Sequence, residues 1–127
     1  MDTVRLRVGT VNVGTMSGRS VEVADMAARR RLDFCCLQET RWRGDGVKIL
    51  EGREGAKFKF LWKGSEDGAA GVGVLVAEKW IKSVIDVKRV NERLLVLRVA
   101  IGGSVLNLIV CMLCKWADRS RRRISWC

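Results

Sequence analysis

Apolar and polar positions alternate along most of this chain, and one segment departs from that period. Val4, Leu6 and Val8 alternate with Arg5 and Arg7, a period of two that predicts a first strand running on to about Val13. Asn12-Val13-Gly14 is a turn signal, so Asn12 falls at the end of that strand. From Ser20 the spacing becomes helical. Val21, Ala24, Ala28 and Leu32 share one face, and Val23, Met26 and Ala27 widen it. The pattern predicts a helix over about residues 20–32, with Ser20 as N-cap and Glu22 in the first turn. Arg29-Arg30-Arg31 then stand at its C-terminal end, where the helix dipole favours cations.

The apolar run Phe34-Cys35-Cys36-Leu37 leads into Gln38-Glu39-Thr40-Arg41-Trp42 and predicts a buried strand that ends in a lone carboxylate. A sheet edge holds such a group rigid while leaving it open to water, metal or substrate. Glu39 is therefore the first candidate for chemistry. Strand, helix and strand in this order predict a parallel crossover, which puts both strand ends on one edge. Asn12 and Glu39 are then expected to be neighbours.

Beyond Trp42 the residues Arg43-Gly44-Asp45-Gly46 read as a polar loop. Lys57 to Lys63 alternates again, with Phe58, Phe60 and Trp62 facing one way. Residues 64–71 read as a loop and Gly71 to Ala77 as a strand whose glycines permit close backbone approach. Trp80 to Val87 reads as irregular chain or a short strand. Arg93 to Ile101, Gly102-Gly103 and Ser104 to Met112 predict a hairpin. Leu95, Leu97, Val99 and Ile101 share one face of its first strand, and Val105, Asn107, Ile109 and Cys111 one face of the second. The same stretch, residues 94–114, is also long enough to cross a bilayer as a helix, against which stand Arg98 and the Gly-Gly pair.

Composition narrows the chemistry. The chain has 127 residues and carries 24 Lys plus Arg against 14 Asp plus Glu, a net charge of +10 that suits a polyanion. That polyanion is a nucleic acid or an anionic membrane, and charge does not identify which. The chain has no His, which removes imidazole as general base or metal ligand. Five cysteines and no apolar leader after Met1 predict a reducing, intracellular setting, nuclear or cytoplasmic. Cys111 and Cys114 have CxxC spacing, and Cys35-Cys36 add two thiols. Adjacent strand residues point to opposite faces, so buried small hydrophobes are expected here rather than a zinc site. Residues 115–127 read as a basic tail on a domain of residues 1–114.

Three features occur together: Thr10-Val11-Asn12-Val13, Leu37-Gln38-Glu39-Thr40 and Gly71-Val72-Gly73-Val74-Leu75. Their order and spacing resemble the endonuclease/exonuclease/phosphatase superfamily, the DNase I-like fold. The chain is most similar to the endonuclease domain of RTE-type non-LTR retrotransposons, including the craniofacial-development-protein-2-like copies. Arg41-Trp42 and Leu106-Asn107 fit that subgroup, and the resemblance covers about residues 5–113. It implies the N-terminal half of a four-layered α/β sandwich, with one mixed sheet, one main helix and no small-molecule cofactor. By the same resemblance Glu39 is a Mg²⁺ ligand, Asn12 orients the phosphate or a catalytic acid, and Arg41 and Trp42 contact DNA.

The family carries Trp before this Asn, where Val11 stands, and Tyr-Ala-Pro where Met112-Leu113-Cys114 stands. Its Asp-x-Asn, later Asp and Asp-His motifs belong to the second half of the fold. The expectation is thus a truncated, catalytically incomplete Mg²⁺-dependent endonuclease domain that self-associates through an exposed sheet face. Two other readings follow from composition and pattern, a non-catalytic basic nucleic-acid-binding module and a membrane-associating fragment.

Overall fold

β2 (Phe34–Gln38) is the axis of the molecule, buried on both faces. The computed structural model describes residues 5–111. Ahead of β2 come β1 (Val8–Asn12) and α1 (Ser20–Arg29), the single α-helix among the described residues. After it come β3 (Asp45–Glu51), β4 (Lys57–Lys63) and β5 (Val72–Ala77). A 3-10 helix (Glu78–Ser83) leads into β6 (Val84–Asn91), β7 (Leu94–Ile101) and β8 (Ser104–Cys111). The strands form a five-stranded sheet in the order β1-β2-β5-β4-β3 and a three-stranded sheet in the order β6-β7-β8. The protein is a mixed α/β structure, mostly strand.

Cys35 and Cys36 show how the layers arise. Successive strand residues point to opposite faces. Cys35 joins Leu37, Phe58, Phe60 and Leu75 under α1. Cys36 joins Phe34, Leu61, Val74 and Val76 against Leu95, Leu97 and Val99 of β7. One face of the large sheet is thus covered by α1 and the other by the small sheet.

This corrects the expectation of one sheet with an open second face. The hairpin β7–β8 was legible, and its Leu95-Leu97-Val99 face is the buried one. The pattern left Trp80 to Val87 open between irregular chain and a short strand; the strand, β6, runs to Asn91, pairs with β7 and completes a covering layer. Its burial alternates only weakly, so the stretch from Trp80 to Val87 gave no clear period. Among the described residues no helix is long and apolar enough to cross a membrane, and residues 94–111 are two strands and a turn.

Three local expectations are also revised. Arg43 to Gly46 is not all loop, because β3 begins at Asp45 and pairs along β4 to Glu51. The first strand starts at Val8, not at the Arg5-Arg7 alternation. The helix N-cap is Arg19, with no side-chain capping bond, and Ser20 is the first helical residue. Val21 is exposed, and the buried face centres on Val23, Ala24 and Ala27.

The helix ends at Arg29, three residues short of Leu32. Arg31 adopts φ +54°, its N–H donates to Ala28 O (3.0 Å), and Leu32 N–H donates to Ala27 O (3.0 Å). This is the left-handed helix stop known as a Schellman motif, usually made with Gly. Leu32 then packs into the core under α1 as the apolar residue that accompanies such a stop.

The connections fix which end of each element lies where. β1 and β2 are parallel, and β5, β4 and β3 alternate in direction from there. Asn12, Glu39, Asp45, Lys63 and Val72 therefore share one end of the large sheet. Arg89 of β6 donates from Nε to Trp62 O (3.0 Å) and from Nη2 to Gly46 O (3.1 Å). That contact ties the two sheets together and brings the β6–β7 turn to the same end.

Candidate functional site

Asn12 is the register partner of Gln38, so Asn12 and Glu39 stand at the same end of adjacent parallel strands. Asn12 is exposed, and its Oδ1 accepts the Gly14 N–H at 3.2 Å, which shapes the turn leaving β1. Gln38 Nε2 donates to Thr10 Oγ1 at 2.8 Å and locks the two strands just below this end.

Beyond Gln38 the backbone departs from strand geometry. Glu39 has φ +58° and Arg41 has φ +58°, both in the left-handed region that costs an L-residue roughly 1–3 kcal/mol. Continued alternation would place Glu39 on the helix side with Leu37; the left-handed φ breaks that alternation. Glu39 is half-buried and Arg41 exposed.

Surrounding hydrogen bonds hold this turn. Val13 N–H donates to Gln38 O (3.0 Å), Met16 N–H to Thr40 O (2.9 Å), Thr40 N–H to Gly71 O (3.2 Å) and Arg41 N–H to Ala70 O (3.2 Å). Three loops are thereby stitched together around Glu39: the one before α1, the one after β2 and the one before β5. Thr40 is fully buried, and its Oγ1 has no hydrogen-bond partner among the described residues. Gly71 has φ +137°, and a Cβ on it would collide with that hydroxyl. At Gly73 a Cβ would run into the Phe60 ring. These two clashes are the physical content of the Gly-rich strand.

Trp42 lies on the helix side of the sheet. Its ring meets Phe60 and Trp62 edge-on, with centroids 5.4 and 4.9 Å apart, and Lys48 Nζ lies 5.6 Å from its centroid. Trp62 Nε1 donates to Arg43 O at 3.2 Å. The aromatic cluster thus anchors the chain between Trp42 and β3, directly after the Glu39 turn. Arg43 is exposed here, and Lys63 pairs with Asp45 at 3.1 Å. In the loop before β5, Asp67 accepts hydrogen bonds from Ser65 Oγ (2.7 Å) and Ala69 N–H (2.9 Å), which hold its carboxyl below the usual range.

For a hard cation the adjacent ends of β1 and β2 offer one carboxylate, Glu39, and one amide, Asn12, while Asp45 at the same end of the sheet is paired with Lys63. That set fits part of the coordination shell of a Mg²⁺ ion, which takes one or two carboxylates and fills the rest with water or phosphate oxygens. Among the described residues no group of three or more His, Cys, Asp or Glu could hold a metal by itself. Cys35 and Cys36 lie in separate cores, as strand alternation requires. Cys114 and the basic residues of 115–127 lie outside the described residues.

Sequence reasoning put Asn12 and Glu39 at one end of the sheet but missed the buried Thr40 hydroxyl and the left-handed backbone of Glu39 and Arg41 on either side of it. A Glu-Thr-Arg run has no residue that announces a positive φ, so no local signal was there to read. No protein-family model matches the chain, and no curated protein matches it.

Proposed function

We propose that this chain carries the first half of a DNase I-like phosphodiester hydrolase domain of the retrotransposon endonuclease type. In this reading the two sheets are the inner layers of a four-layered sandwich and α1 belongs to an outer one. Glu39 is the Mg²⁺ ligand, Asn12 orients the scissile phosphate, and Arg41 and Trp42 lie along the DNA. The observation that supports it most is the Asn12–Gln38 register, which brings Asn12 and Glu39 to one end of paired strands with Glu39 in a strained backbone state. Bound Mg²⁺ would polarise a phosphoryl oxygen and acidify a water.

The 127 residues supply no imidazole, and the paired ends of β1 and β2 supply one carboxylate, Glu39. Hydrolysis asks for a base for the water as well as ligands for the metal. These residues are therefore assigned metal-assisted phosphodiester binding and not turnover. The experiment is a DNA-binding titration with and without Mg²⁺, run beside a plasmid-nicking assay. Mg²⁺ should strengthen binding, Glu39→Gln should abolish that gain, and the plasmid should stay supercoiled. Binding that is indifferent to both Mg²⁺ and Glu39 would favour the second reading, a basic module that grips phosphates by charge alone. The net +10 supports that alternative.

A further inference from the structure

The opposite end of the large sheet carries a second concentration of charge. The chain before β1, the end of α1 and the start of the 3-10 helix meet there around Asp33. Asp33 is buried, its Oδ2 accepts the Arg7 N–H (2.8 Å), and its Oδ1 accepts from Trp80 Nε1 (2.9 Å) and Lys79 Nζ (3.3 Å). Arg7 O in turn accepts from Asp33 N–H (2.8 Å). The acid is thus consumed by the Arg7 N–H, by Trp80 and by Lys79, and the arginine side chains around it stay outside. Arg7, Arg29, Arg30, Arg31 and Lys79 are all exposed. Among the described residues the four arginines have no carboxylate within ion-pair distance.

Arg31 adds a backbone observation. The helix dipole accounts for cations at Arg29 and Arg30. It does not account for Arg31, which lies past the helix at φ +54°, where Gly would sit without strain. The strained position holds a guanidinium instead.

We infer that Arg7, Arg29, Arg30, Arg31 and Lys79 form a nucleic-acid backbone-binding surface at the end of the sheet remote from Glu39. Guanidinium groups predominate, and these pair with phosphate oxygens in a bidentate way that ammonium groups do not. Among the described residues none of the exposed large apolar side chains belongs to these segments, which does not favour a membrane-docking face. The inference does not rest on the Glu39 reading, since it requires neither metal nor cleavage.

The test is anisotropy of a short labelled duplex DNA with the 127-residue chain, between about 50 and 200 mM salt. For Arg29→Gln/Arg30→Gln/Arg31→Gly, affinity should fall about tenfold or more at low salt, and the slope of log K against log salt should flatten by roughly 2–3. Arg31→Gly alone should weaken binding several-fold while raising the melting temperature by roughly 2–5 °C, because it removes a charge and relieves strain together. Arg41→Gln/Arg43→Gln serves as the comparison at the Glu39 end. Wild-type affinity and slope in the triple variant, with loss only in the Arg41/Arg43 pair, would overturn the inference. So would a triple variant that loses binding to phosphatidylserine vesicles but not to duplex.

Discussion

The hydroxyl of Thr40 fills the space that a side chain on Gly71 would need. The two residues also exchange a backbone bond, Thr40 N–H to Gly71 O at 3.2 Å. Gly71→Ala meets both a clash and a backbone φ that L-residues avoid, and is expected to cost about 2–4 kcal/mol in urea denaturation. Thr40→Val keeps the shape and removes a buried hydroxyl that has no partner. It should be neutral or stabilising by up to about 1 kcal/mol. A clear loss in Thr40→Val would mean that the hydroxyl is satisfied in solution.

Asp33 gives the fold an acid-sensitive joint. Burial works to raise its carboxyl, but hydrogen bonds from Arg7 N–H, Trp80 and Lys79 outweigh it and leave it below its ordinary value of 3.8. A folded-state value below the unfolded one contributes stability above the unfolded value, lost as pH falls through the folded one. Asp33→Asn should therefore cost about 1–3 kcal/mol at pH 7, with the difference from wild type shrinking below about pH 4. A difference that is constant from pH 7 to pH 2 would contradict the assignment.

Much of this was legible in the sequence because it rests on period. The Phe58-Phe60-Trp62 face, the Leu95-Leu97-Val99 face and the Gly102-Gly103 turn follow from alternation and turn chemistry, and the structure has all three. The placement of Asn12 and Glu39 followed from the crossover alone. What was not legible rests on tertiary contact. β6 alternates weakly because Ile85 and Val90 are exposed, and its identity as a strand comes from pairing with β7. The left-handed states of Arg31, Glu39 and Arg41 occur at residues with no propensity for them, so only the surrounding structure specifies them.

The two sheets share one core, and that predicts how the chain melts. Leu97 on β7 and Val74 on β5 are both fully buried in it. Leu97→Ala should cost about 2–5 kcal/mol, and Val74→Ala should lower the same single unfolding transition. Two separate transitions, or a negligible loss in Leu97→Ala, would show that the small sheet does not close over the large one.

Self-association is then expected from the outer surfaces and not from an open core. Ile109 and Val105 on β8 are 61% and 49% exposed and share the solvent face of the small sheet. Ile109→Lys should reduce any concentration-dependent species in sedimentation velocity while leaving the melting temperature within about 2 °C of wild type, as surface substitutions usually do. An unchanged distribution would clear this face.

Half of a divalent-metal site, as proposed for Asn12 and Glu39, should be visible in paramagnetic broadening by Mn²⁺. In amide spectra of the labelled chain, Mn²⁺ at low stoichiometry should first broaden residues flanking Asn12 and Glu39, such as Gly14 and Thr40. Mg²⁺ in excess should reverse the effect, and Glu39→Gln should remove it. Broadening that begins elsewhere, for example at the exposed carboxylates of Glu51 and Glu54, or that persists in Glu39→Gln, would contradict the account.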